Sequence, residues 1–77
     1  MQRNILIRNI LEFLAKNANG NTHPGVVDSS HISRNLGLPL NHTKQLLTTM
    51  NEMGVIKSNI DSDYSLITSA GLQRLYS

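Results

Sequence analysis

The sequence contains no cysteine, so neither disulfide bonds nor thiolate metal sites stabilise this chain. Its 77 residues place it near the lower size limit for independent folding, because a domain of this length buries only about 60% of the surface that its unfolded chain exposes. Stability must therefore come from close packing of helices or from self-association.

Long hydrophobic runs are also missing from the sequence. No apolar stretch approaches the roughly 20 residues that span a bilayer. The first residues, MQRNILIRNILEFL, are interrupted by Arg8, Asn9 and Glu12, and they do not resemble a secretory signal peptide. We therefore expect a cytoplasmic protein with no membrane partner.

The sequence has none of the residue patterns that mark common catalytic and metal sites. It lacks a nucleophile elbow, a glycine-rich phosphate loop and a paired-carboxylate motif, and a chain this short has little room for a catalytic pocket of about 300 Å³ or more. His23, His31 and His42 do not have the spacing of metal ligands. Asp61 and Asp63 are too few ligands for Ca²⁺ and are typical turn formers. We expect no enzymatic activity, no metal and no cofactor.

The residues that are present indicate a globular chain with a mild basic excess. Hydrophobic residues make up 39% of the sequence and charged residues 16%, with seven Lys and Arg against five Asp and Glu for a net charge of +2. This balance permits a polyanionic partner without requiring one.

Hydrophobic periodicity and breaker residues predict a single α+β domain over residues 1–77 that is mainly helical. We expect a helix over 4–18, a loop over 17–25, a strand over 26–27, helices over 29–36 and 41–53, a hairpin over 55–67 and a helix over 69–76. The two central helices have narrow apolar stripes, so they need the first helix and the hairpin to complete a core.

Capping residues predict where these helices begin and end. Asp28, Asn41 and Thr68 are expected N-caps, and Gly37 and Gly54 are expected to end the two central helices in the left-handed conformation. The side of helix 41–53 that faces the core is expected to carry residues at i, i+3, i+4 and i+7: Thr43, Leu46, Leu47 and Met50.

The central stretch ISRNLGLPLNHTKQLLTTMNEMGVI, residues 32–56, and the closing ITSAGLQRL resemble a winged helix-turn-helix domain. They are similar to the small bacterial and archaeal regulators of the MarR, PadR and archaeal single-domain groups. The resemblance covers nearly the whole chain. The residues that carry it are Ile32, Leu36, Gly37 and Leu38, then Leu46, Leu47, Met50, Gly54, Val55 and Ile56, and finally Thr68, Gly71 and Leu75.

This resemblance implies a three-helix core, a β-hairpin wing, a short C-terminal helix and a role as a DNA-binding transcriptional regulator. Helix 41–53 would be the recognition helix, whose N-terminal half contacts base edges in the major groove of duplex DNA. Gln pairs with adenine, Lys reaches guanine or phosphate, and Thr offers a hydroxyl and a methyl group. The expected DNA-binding residues are Asn41, His42, Lys44, Gln45, Thr48 and Thr49 on this helix, together with Arg34 and Lys57 as phosphate contacts.

Two alternatives remain open from the sequence. The polar side chains of helix 41–53, like Arg34 and Lys57, are also typical of an ordinary solvated surface. The same fold also serves as a protein–protein interaction module that binds no DNA, and the acidic hairpin tip with Asp61 and Asp63 favours that function. The acid-poor stretch 41–49 favours DNA, because a protein-binding surface more often exposes aromatic side chains.

Self-association through the terminal helices is a further expectation. The first helix is apolar nearly all round, and Leu72, Leu75 and Tyr76 end the chain. In the regulators that the chain resembles, the terminal helices pair two subunits. The alternative is that these residues only close the core of a monomer.

Overall fold

The computed structural model describes residues 3–20, 26–59 and 61–76. Within these ranges the chain is α+β and mainly helical, with four helices and one small antiparallel sheet. The elements are α1 (Arg3–Gly20), β1 (Val27–Asp28), α2 (Ser29–Leu36), α3 (Leu40–Glu52), β2 (Ile56–Ser58), β3 (Tyr64–Ile67) and α4 (Ser69–Tyr76).

Three elements have boundaries that differ from those expected from the sequence. Helix α1 continues to Gly20, so the expected loop does not begin at residue 17; its remaining residues, 21–25, lie outside the described ranges. Strand β1 forms one residue later than expected, over Val27–Asp28. Helix α3 begins at Leu40 and ends at Glu52, with Pro39 as its N-cap.

The N-cap predicted at Asn41 is therefore wrong. The carbonyl oxygen of Pro39 accepts two hydrogen bonds from Thr43, one from its backbone N–H at 3.0 Å and one from the Thr43 hydroxyl at 3.1 Å. The helix is thus under way before Asn41, whose side-chain oxygen accepts from the N–H of His42 at 3.0 Å. The cap predicted at Asp28 is confirmed, since its carboxylate accepts from the N–H of Ser30 at 2.6 Å.

Strand β3 is the centre of the sheet, although it is the last of the three strands in the sequence. The strand order is β1-β3-β2, and both pairings are antiparallel. Ser65 of β3 pairs with Val27 on one side and with Ser58 on the other. None of the described helices combines the length and the apolar character that crossing a bilayer requires.

The core forms where α1, α2 and α3 meet the sheet. Its residues come from every helix and from all three strands or the turns beside them. Helix α3 contributes the stripe that its sequence predicts, because Thr43, Leu46, Leu47 and Met50 are all buried. The side chains with no measurable exposure include Ile10, Leu14, Ile32, Leu47 and Met50.

The corner between α2 and α3 is closed by local hydrogen bonds. Gly37 ends α2 with φ of 69°, in the left-handed region that favours glycine. The N–H of Leu38 then donates to the carbonyl oxygen of Ser33 at 3.1 Å, and the Ser33 hydroxyl donates to the carbonyl oxygen of Leu38. These bonds satisfy the polar groups of the turn and set the direction in which α3 leaves it.

The end of α3 is tied to the start of α4 through Thr68. Its hydroxyl donates to the carbonyl oxygen of Gly54 at 2.7 Å and accepts from the N–H of Gly71 at 3.1 Å, which confirms the cap predicted at Thr68. The chains approach so closely here that a Cβ added to Gly71 would lie 2.1 Å from the carbonyl oxygen of Val55. Only glycine fits at position 71 without a shift of the backbone.

Candidate functional site on helix α3 and the hairpin

Helix α3 divides into a buried side and an outward side. Because its stripe of four residues is held in the core, the remaining side chains of its first three turns lie outside the core. Among the six residues of α3 that are predicted to bind DNA, four are exposed and two are partly buried. Asn41, His42, Gln45 and Thr48 are exposed, and Lys44 and Thr49 are intermediate.

The two threonines of this outward side use their hydroxyl groups within the protein. Thr48 donates to the carbonyl oxygen of Lys44 at 2.9 Å, and Thr49 donates to that of Gln45 at 3.2 Å. Such bonds to the preceding turn are common for threonine in helices. They leave Asn41, His42 and Gln45 as the exposed polar side chains at the N-terminal half of α3.

Lys44 forms an ion pair with Asp63 of the hairpin tip. Its ammonium nitrogen Nζ lies 2.7 Å from Oδ1 of Asp63, and the two side chains are 34% and 45% exposed. This hydrogen bond, together with the negative charges of Asp63, Asp61 and Asp28, raises the pKa of Lys44 above 10.5, while partial desolvation opposes the shift. Because the pKa of Lys44 is higher in the folded state, the ion pair stabilises the fold as long as Lys44 is protonated. That stabilisation is lost as the pH rises through the raised pKa.

The backbone of the hairpin tip is organised by Asn59. Its side-chain oxygen accepts from the N–H of Asp63 at 2.8 Å and from the N–H of Tyr64 at 3.1 Å. The carbonyl oxygen of Asn59 accepts from the N–H of Ser62 at 2.9 Å, and Ser62 itself has a left-handed φ of 56°. One asparagine thus fixes the conformation of the three residues that follow Asp61.

The tip is also attached to both central helices. The N–H of Ser29, the first residue of α2, donates to the carbonyl oxygen of Asp63 at 2.8 Å, and the Ser29 hydroxyl donates to that of Ser62. On α3, the hydroxyl oxygens of Thr48 and Ser62 are 3.0 Å apart. The tip therefore lies against α2 and α3, with Asp63 held beside Lys44.

The sequence did not predict this contact. Asp61 and Asp63 are expected from the sequence as turn formers and as an acidic hairpin tip, with no pairing to Lys44. Ser29, Asn59 and Ser62 are not expected in the site. Lys44 and Asp63 are 19 residues apart, beyond the short spacings at which charge pairs are recognised on a helix. Their pairing depends on how the hairpin packs against α3, which no local pattern specifies.

The two predicted phosphate contacts lie on other elements. Arg34 is exposed in the last turn of α2, where its Nε donates to the carbonyl oxygen of Ser30 at 3.4 Å. A cation at this end of a helix is also stabilised by the helix dipole. Lys57 is exposed on β2, directly opposite Leu66 of β3.

The surface around Lys44 is more acidic than the net charge of the chain suggests. Three of the five acidic residues, Asp28, Asp61 and Asp63, act electrostatically on Lys44. In the ranges that the structure describes, no three acidic or histidine side chains are placed to hold a metal ion.

Comparisons with protein families, with curated proteins and with solved structures find no match to this chain.

Proposed function

We propose that this chain is a winged helix-turn-helix transcriptional regulator that binds duplex DNA, with α3 entering the major groove and the β2–β3 hairpin as the wing. The observation that carries the proposal is the outward side of α3 between residues 41 and 49, which has exposed polar side chains and no acidic residue. A helix that enters a groove must project such a surface from a stable body. The buried stripe on its other side and the closed corner before it supply that support.

The chemistry of the exposed side chains suits base recognition. Gln45 and Asn41 carry amide groups, which pair with the N6 and N7 atoms of adenine in the major groove. His42 adds a ring nitrogen in the first turn. Arg34 and Lys57 are exposed cations on neighbouring elements, and we assign them to phosphates, which position a protein on DNA without selecting a sequence.

The test is direct binding to a random-sequence duplex labelled with a fluorophore, measured by anisotropy over a range of salt concentrations. With few cations available, we expect weak binding that falls steeply with salt, with a slope set by only a few phosphate contacts per subunit. A lack of binding at about 20 mM salt would overturn the proposal. If the chain does bind the duplex, selection of bound genomic fragments identifies the preferred sequence.

A protein–protein interaction module is the second candidate function. The observations that favour it are the acidic surroundings of Lys44 and an exposed apolar area on the outer face of the sheet. Val26 is 50% exposed and Tyr64 is 53% exposed, and they lie near Leu66 and Lys57. Absence of duplex binding at low salt would favour this function.

We further propose that two copies associate through α1 and α4. Both helices expose large apolar side chains, since Ile5 is 48% exposed and Tyr76 is 73% exposed. A twofold dimer would place two copies of α3 about 34 Å apart, the distance between successive turns of the major groove. Sedimentation equilibrium distinguishes this from a monomer, which would have a mass of 8.5 kDa at every concentration.

A further inference from the structure

Helix α3 has a single cation, and that cation is already paired. Its sequence, LNHTKQLLTTMNE, contains Lys44 as its one Lys or Arg. The Lys44 ammonium donates to Asp63 at 2.7 Å. Any polyanion that approaches the outward side of α3 therefore meets a neutralised lysine with a carboxylate beside it.

Asp63 is held by two hydrogen bonds of its backbone as well as by its ion pair with Lys44. Its N–H is bound by the Asn59 side chain, and its carbonyl oxygen is bound by the N–H of Ser29. A substitution of the carboxylate group leaves both of these bonds available. The tip would then keep its place while Lys44 loses its partner.

We propose that Asp63 competes with DNA phosphate for Lys44, so that the hairpin tip forms an autoinhibitory contact on α3. This inference rests on the proposed function. A phosphate that reaches Lys44 either displaces the Asp63 carboxylate or shares the ammonium with it, and in both cases the negative charge of Asp63 repels the phosphate and weakens its binding. The pair is partly exposed, so it is accessible to such a phosphate, and an exposed ion pair contributes little to the stability of a fold.

The first experiment compares Asp63→Asn with Asp61→Asn. The two substitutions remove one negative charge each from the same tip, but only the first removes the partner of Lys44. With a random duplex at about 50 mM salt, we expect Asp63→Asn to bind about tenfold more tightly than the unmodified chain and to steepen the salt dependence by about one phosphate contact. We expect Asp61→Asn to gain less than about threefold, since it adds only a screened long-range effect.

The second experiment repeats the comparison in a Lys44→Gln background. If the gain from Asp63→Asn is transmitted through Lys44, it falls to the level of Asp61→Asn when Lys44 is absent. A gain that persists in this background overturns the inference. Circular dichroism tests whether each variant is folded. If Asp63→Asn is not folded, Asp63→Ser replaces it.

The outcomes separate this inference from the proposed function. Equal gains for Asp63→Asn and Asp61→Asn, with measurable binding by the unmodified chain, overturn the autoinhibitory contact and leave DNA binding intact. No binding by any variant at low salt overturns both. NMR titration of the Lys44 side chain is a readout that needs no DNA. We expect the pKa of Lys44 to fall in Asp63→Asn and to stay nearly constant in Asp61→Asn. A Lys44 pKa that is unchanged in Asp63→Asn but falls in Asp61→Asn contradicts the contact.

Discussion

Gln45 and Arg34 are exposed polar residues on different helices, and they are proposed to contact different parts of DNA. An amide that pairs with adenine distinguishes sequences, whereas a guanidinium on a phosphate does not. We therefore expect Gln45→Ala to cost about 1–3 kcal/mol on the preferred sequence and little on random DNA. The measurement is a pair of anisotropy titrations, one with each duplex.

Arg34→Ala is the matched comparison for that prediction. It should weaken binding to both duplexes by a similar factor and flatten the salt dependence by about one phosphate contact. Because general loss of folding would abolish both kinds of binding together, the contrast between the two variants is the informative result. Equal losses on both duplexes for Gln45→Ala would remove Gln45 from the base-contacting set.

At the scale of elements, Thr68 joins α3 to α4 through one hydroxyl group. Thr68→Val keeps the shape of the side chain but removes the donor to Gly54 and the acceptor for Gly71. Loss of a helix cap together with a second hydrogen bond should lower the free energy of unfolding by about 1–3 kcal/mol. Urea denaturation followed by circular dichroism measures this change.

Ser69→Ala is the control for Thr68→Val, since Ser69 is exposed in the next position along the chain. An exposed substitution of this kind is usually within about 0.5 kcal/mol of neutral. If Thr68→Val is as mild as Ser69→Ala, the hydroxyl contributes no net stability, and the junction is held by packing and by the backbone N–H of Thr68, which donates to the carbonyl oxygen of Val55 at 3.1 Å.

Elements were more predictable from the sequence than the contacts between them. Gly37 ends α2 where expected, and both Gly37 and Gly54 adopt the left-handed conformation that glycine tolerates, although α3 ends at Glu52, one residue earlier than expected. The start of α3 differs from the prediction because the helix begins with the backbone carbonyl of Pro39, which accepts from the N–H of Thr43, and not with a side-chain cap at Asn41. The pairing of Lys44 with Asp63 was missed for a different reason: it exists only after the hairpin has packed against α2 and α3.

At the scale of the whole molecule, stability depends on a small core. Leu47 has no measurable exposure and lies in the side of α3 that packs into the core. Leu47→Ala should lower the free energy of unfolding by about 2–5 kcal/mol by leaving a cavity. For a domain of this size, that loss removes a large share of the total stability, which is about 5–15 kcal/mol for most domains.

Leu40→Ala makes the same chemical change on the same helix at a side chain that is 41% exposed. We expect its effect to be well below that of Leu47→Ala, because most of the removed surface was already in contact with water. Thermal denaturation of the two variants in parallel tests the prediction. Similar melting temperatures for both variants would mean that the core does not depend on the side of α3 that carries Leu47.

The central place of β3 in the sheet has a consequence for synthesis on the ribosome. Strands β1 and β2 both pair with β3 and not with each other, yet both precede it in the chain. A nascent chain that has not yet reached residues 64–67 therefore contains two strands with no partner and has no sheet at all. Once β3 is available, both pairings become possible together, so the amides of β1 and β2 should gain protection from hydrogen exchange as one cooperative unit.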